Sequence, residues 1–90
     1  MLPVRWSEPA IHDLFEVLDY VEQRNPHAAR ALEADIRESA NRLSTWPYMG
    51  RAGRVSGTRE HLIRPTYLLV YSVDEAVEIL RMLHTRLEYP

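Results

Sequence analysis

All three glycines of the chain, Gly50, Gly53 and Gly57, fall within residues 50–57. No other feature constrains the fold as much, because this is the one stretch where a positive φ carries no steric cost. Before it, apolar residues recur at helical spacing. After it, they follow strand-like runs. Residues 50–57 therefore read as the hinge between a helical part and a strand part. The same run, Gly50-Arg51-Ala52-Gly53-Arg54-Val55-Ser56-Gly57-Thr58-Arg59-Glu60, is rich in arginine. With Arg64 just beyond, Arg51, Arg54, Arg59 and Arg64 face one acid, Glu60, a local charge of +3 in a chain of net charge −2. An arginine-bearing loop able to lie close against what it covers is the first candidate for a binding surface.

The helical part is bounded by its own caps. Leu2-Pro3-Val4-Arg5-Trp6 alternates as a short strand does. Ser7 then reads as an N-cap, with Glu8 and Pro9 in the first turn, where an acid suits the helix dipole and a missing N–H is harmless. Ile11, Leu14, Leu18 and Val21 form an apolar stripe that Phe15 and Val17 widen. Asn25-Pro26 opens a second helix after a very short break, with Ala29, Leu32, Ile36, Ala40 and Leu43 on its apolar face. So tight a connection makes the two helices an antiparallel hairpin. Trp46-Pro47 ends it, because a residue before proline is pushed out of the helical region. Trp6 and Trp46 are expected to bury the hairpin's ends.

Three strands are predicted beyond the hinge: Thr58 to Arg64, Tyr67 to Val73 and Ala76 to His84, with turns at Pro65 and at Asp74-Glu75. The order β-α-α-β-β-β gives an α+β fold, a helical hairpin packed on a small antiparallel sheet. In the middle strand Leu68 and Val70 share one face, and Leu69, Tyr71 and Val73 the other. It is thus central, and a chain of 90 residues is expected to cover only one of its faces fully, which anticipates a partner.

Composition narrows the classes. Residues 1–90 suit one domain. Without cysteine there is no disulfide and no thiolate metal site, and no cofactor is implied. Apolar runs fall far short of the ~20 residues of a membrane span, and the first residues lack a signal-peptide pattern, so a cytoplasmic protein without membrane contact is expected. A net charge of −2 argues against tight non-specific nucleic-acid binding. All eleven basic residues are arginine, the side chain of bidentate carboxylate and phosphate recognition.

Four ordered segments carry a family resemblance. They are Asn25-Pro26-His27-Ala28-Ala29, Pro47-Tyr48-Met49-Gly50-Arg51 leading into the arginine–glycine run, Tyr67-Leu68-Leu69-Val70-Tyr71, and Val77 to Arg86 ending at Tyr89-Pro90. Together the chain resembles the RelE/ParE superfamily of type II toxin–antitoxin toxins. That resemblance implies a toxin neutralised by a cognate antitoxin in a hetero-oligomer, which reaches operator DNA only through the antitoxin. RelE-like members cut messenger RNA on the ribosome; ParE-like members poison DNA gyrase without known cleavage chemistry.

RNA cleavage by the 2′-hydroxyl needs a base, cations for the phosphorane charge and an acid for the leaving oxygen. By resemblance, the positions for these are Arg59, His61, His84, Arg86 and Tyr89. The family's catalytic arginine, however, is matched by Leu68, which holds no charge. The ParE-like reading is therefore preferred, with inhibition of gyrase, and the ribosome-dependent endoribonuclease as the alternative. A toxin remnant serving only as co-repressor is a third reading. Arg51, Arg54 and Arg59 are assigned to antitoxin carboxylates, and His84, Arg86 and Tyr89 to the target. No metal site is expected, since His61 and His84 stand at no ligand spacing. Arg59 with Glu60, and Arg81 with Glu78, read as surface ion pairs of small value.

Overall fold

A computed structural model describes residues 1–86; Leu87, Glu88, Tyr89 and Pro90 lie outside the described residues. The elements are β1 (Val4–Trp6), α1 (Glu8–Arg24), α2 (Pro26–Thr45), β2 (Arg51–Ala52), β3 (Arg59–Arg64), β4 (Tyr67–Val73) and β5 (Val77–His84).

Both helix starts form as their caps dictate. The Ala10 amide donates to the Ser7 hydroxyl oxygen at 3.2 Å, and that hydroxyl donates onward to the Leu80 carbonyl at 2.9 Å. One side chain therefore caps α1 and ties it to β5. Asn25 serves two helices: its N–H donates to the Val21 carbonyl as α1 ends, and its Oδ1 accepts the Ala28 amide as α2 begins. α2 stops at Trp46, before Pro47.

The sheet has five strands in the order β1-β5-β4-β3-β2. The predicted three-stranded antiparallel meander is its centre, with β4 in the middle, and the α+β hairpin-on-sheet architecture is as read from the sequence. Two edge strands extend it. β2 pairs antiparallel with β3 through Arg51↔Glu60 and Ala52↔Arg59. β1 pairs with β5 in parallel, Val4 opposite Val77, so the sheet is mixed. Neither pairing has a local sequence signal, since each strand is three residues or fewer.

The main core lies between the hairpin and one sheet face: Ala10, Leu32, Ile36, Leu43, Leu69, Tyr71, Val77, Ile79 and Met82, all buried. Three side chains and one sheet face depart from expectation. Phe15 is 65 % exposed, off the core stripe that Leu14, Val17, Leu18 and Val21 supply. Trp46 is also exposed and buries no helix end, while Trp6 packs partly against the core. Arg81 pairs not with Glu78 but with Asp13 of α1, which accepts Arg81 Nε at 2.7 Å and the Met82 amide at 3.0 Å. That bond, chiefly, holds the Arg81 guanidinium above its ordinary pKa. A register shift in the β4–β5 pairing, between Val70↔Arg81 and Tyr71↔Ile79, accompanies this reach toward α1. The far sheet face, expected to be poorly covered, is closed over by Leu68, Val70 and Leu83, each at most 4 % exposed. Leu68 sits between Leu62 and Leu83, and Val70 is opposite Glu60, so cross-strand neighbours shield the cluster. No helix among the described residues is long and apolar enough to cross a membrane.

Candidate functional site

The arginine–glycine loop is organised from beneath by one buried carboxylate. Glu60, only 4 % exposed, accepts Arg51 Nε and Nη2 on Oε1 at 3.1 and 2.9 Å. Its Oε2 accepts the Arg54 backbone amide at 3.2 Å, and Arg54 Nε lies 3.7 Å away. Glu60 is therefore a fixed anchor and not a surface partner of Arg59. A carboxylate withdrawn this far from water needs such charge-assisted bonds.

Arg59 is held on the opposite side of its strand. Its Nη1 donates to the Gly50 carbonyl at 2.7 Å and the Tyr48 carbonyl at 3.2 Å, and its guanidinium carbon lies 5.0 Å from the Tyr48 ring centroid. Tyr71, fully buried, completes the support: it donates to the Pro47 carbonyl at 2.8 Å and accepts the Gly50 amide at 3.0 Å. Burial pushes the Tyr71 phenol above its usual pKa, partly offset by the Gly50 amide and by Arg59.

The glycines here act mostly through closeness. A Cβ on Gly50 would sit 2.6 Å from the Tyr71 hydroxyl and 2.7 Å from the Glu60 carbonyl oxygen, so the loop could not lie so near β3 and β4. Only Gly57 has a positive φ, +85°. The hinge reading holds at that one residue, and close approach is the reason at Gly50.

The residues named for RNA cleavage do not converge. Arg59 and His61 stand on β3 opposite Tyr71 and Leu69, whereas His84 stands on β5 opposite Tyr67. Strand spacing puts His84 roughly 12 Å from His61 and roughly 17 Å from Arg59, Cα to Cα. Burial, and secondarily the Arg42 charge, lowers the His61 pKa. His84 is exposed, its Nδ1 accepting the Arg86 amide at 3.1 Å, so Arg86 and His84 do lie together. Tyr89 lies outside the described residues. Leu68, which the resemblance set against a catalytic arginine, is 2 % exposed inside the far-face cluster. No group of three or more His, Asp or Glu among the described residues could hold a metal ion.

The sequence reading missed the outer face of α1. Ile11 and Phe15 are exposed on one flank and Tyr20 on the other, with Asp19 and Glu16 between them. A heptad-style reading absorbs such aromatics into the core stripe; the available signal was an apolar stripe too wide for the small core beneath it.

The chain matches the family described as ParE toxin of the type II toxin–antitoxin system parDE over residues 4–89. It is 33 % identical to toxin Y4kP of Sinorhizobium fredii over 88 residues, covering 97 % of this chain and 92 % of that protein. Among solved structures it resembles a chain of the chromosomal ParDE toxin–antitoxin system of P. aeruginosa, with a TM-score of 0.81 and 26 % identity over 93 % of this chain and 96 % of that one. It also resembles a chain of the toxin–antitoxin complex RelBE2 of Mycobacterium tuberculosis, with a TM-score of 0.66 and 30 % identity over 92 % and 96 % of the two chains.

Proposed function

The chain belongs to the ParE toxin family of type II toxin–antitoxin systems, and on that premise we propose that it inhibits DNA gyrase by binding, without cleavage chemistry of its own. It would act in the cytoplasm, as one folded unit, until a cognate antitoxin binds it. The observation that carries this reading is Leu68. Where a ribonuclease of this fold needs a cation against the phosphorane, the chain has an apolar side chain packed with Val70 and Leu83. A guanidinium there would have to displace that cluster. The remaining candidates, Arg59, His61 and His84, are spread over the sheet.

Arg51 and Arg54 keep 62 % and 42 % of their side chains exposed while paired with Glu60. Two cations against one carboxylate leave a local charge of +1, which supports their part in binding antitoxin carboxylates. Arg59 holds the loop in place for that contact. His84 and Arg86, neighbours at the end of β5, are the proposed target contact, and Tyr89 follows them in sequence.

A paired assay of the purified toxin tests this. Gyrase supercoiling and DNA cleavage are followed in one arm, and ribosome-dependent message cleavage in the other. Loss of supercoiling with intact message is the expected result. Message cleavage with unaffected gyrase would establish the RelE-like alternative.

A further inference from the structure

Between the C-terminal half of α1 and the end of β5 lies an open cleft of about 340 Å³, lined by Glu16, Val17, Tyr20, Tyr67 and His84. Tyr67 and His84, opposite one another on β4 and β5, meet edge to face with ring centroids 5.6 Å apart at 76°. Tyr20 is 58 % exposed. Aromatic faces carry a negative quadrupole that attracts cations, and a carboxylate alongside adds full charge. Tyr20 already holds one guanidinium: the Arg24 guanidinium carbon lies 3.6 Å from its ring centroid, and Arg24 Nη1 donates to the Tyr20 carbonyl at 3.0 Å. Among the described residues no arginine lines the cleft.

The charge around it points the same way. α1 carries Glu8, Asp13, Glu16, Asp19 and Glu22 against Arg24; Asp13 is held by Arg81 of the sheet, and Glu16 lies 3.7 Å from His12 Nε2 at its exposed end. Glu16 also lines the neighbouring cavity of about 520 Å³ beside Phe15 and Leu18. A cleft with aromatic walls and one carboxylate thus continues into a hollow where Phe15 and Leu18 lie among His12, Asp19 and Glu22.

We propose that this cleft is a cation-recognition site for an arginine or lysine side chain of the cognate antitoxin, whose adjoining apolar residues lie over Phe15. The inference rests on the toxin–antitoxin reading and deepens it. An antitoxin is the partner that accompanies the toxins in the similar solved structures. A cation seated against His84 also covers the surface proposed for the target, so neutralisation follows from masking.

The test uses Tyr20→Leu and Glu16→Lys, both at exposed positions, with thermal melts to verify folding. Antitoxin affinity is measured by titration calorimetry, target inhibition by the gyrase assay, and neutralisation by growth rescue. Tyr20→Leu is expected to weaken antitoxin binding about tenfold and Glu16→Lys more than that, with target inhibition unchanged and rescue reduced. An Arg/Lys→Glu scan of the antitoxin should find one position whose reversal restores binding to Glu16→Lys. Wild-type affinity in both variants overturns the proposal. So does loss of target inhibition with antitoxin affinity unchanged, which would give the cleft to the target. If the wild-type toxin itself binds no antitoxin, the toxin–antitoxin reading falls together with the site.

Discussion

The arginine loop and the outer face of α1 are opposites. The loop is conspicuous in the sequence, yet much of its polarity is turned inward: Glu60 takes Arg51 and Arg54, Arg59 takes two carbonyls, and Tyr71 takes a carbonyl and an amide. α1 is unremarkable in sequence, yet it leaves Phe15, Tyr20 and several carboxylates facing water. Charge density along a chain is therefore a poor guide to charge available for binding. A group's availability depends on its three-dimensional partners.

Substitutions can break this contrast. Glu60→Ala should have the largest effect, lowering stability by about 2–4 kcal/mol in urea unfolding. Breaking a buried pair is costly, though Arg51 and Arg54 can turn partly to water. Tyr71→Phe should cost about 1–3 kcal/mol, because it removes a donor and leaves the Gly50 amide without its acceptor. Phe15→Ala on α1 should change stability by no more than about 0.5 kcal/mol, as an exposed position does. A loss above about 2 kcal/mol there would make α1 structural and erase the contrast.

The smallest effect is a pH dependence at His61. Its folded pKa is lowered by burial and by Arg42, so between that value and the ordinary 6.5 the unfolded chain binds more protons. Its contribution is complete above pH 6.5 and fades as pH falls through the folded pKa. His61→Gln should flatten that limb of a stability-versus-pH curve, and an unchanged limb would assign the dependence elsewhere.

What was legible in the sequence was local. Ser7 and Asn25 announce their helices because capping needs only residues three apart, and the unbroken apolar run of residues 67–71 marks a strand buried on both faces. The rest depends on distant partners. Glu60 looks like a surface acid until β2 folds back over it. Arg81 finds Asp13 across 68 positions, while Glu78, earlier in the same strand, is the obvious guess. Among the candidate site residues, sequence placed His84 near Arg86 but could not reveal that Arg59 and His61 lie elsewhere on the sheet. Phe15 was misassigned because helical spacing gives a stripe's direction and not how much of its width the core can cover.

The parallel seam between β1 and β5 bears on how such a molecule is made. Val4 waits for Val77, and the Ser7 hydroxyl for the Leu80 carbonyl, 73 positions later. Contacts of so long a span form late. During translation, then, the sheet cannot close before residues 77–84 have cleared the exit tunnel. Until β5 is out, β1 and β4 lack the strand that lies between them, so a chain stopped before Val77 would leave both of those edges open.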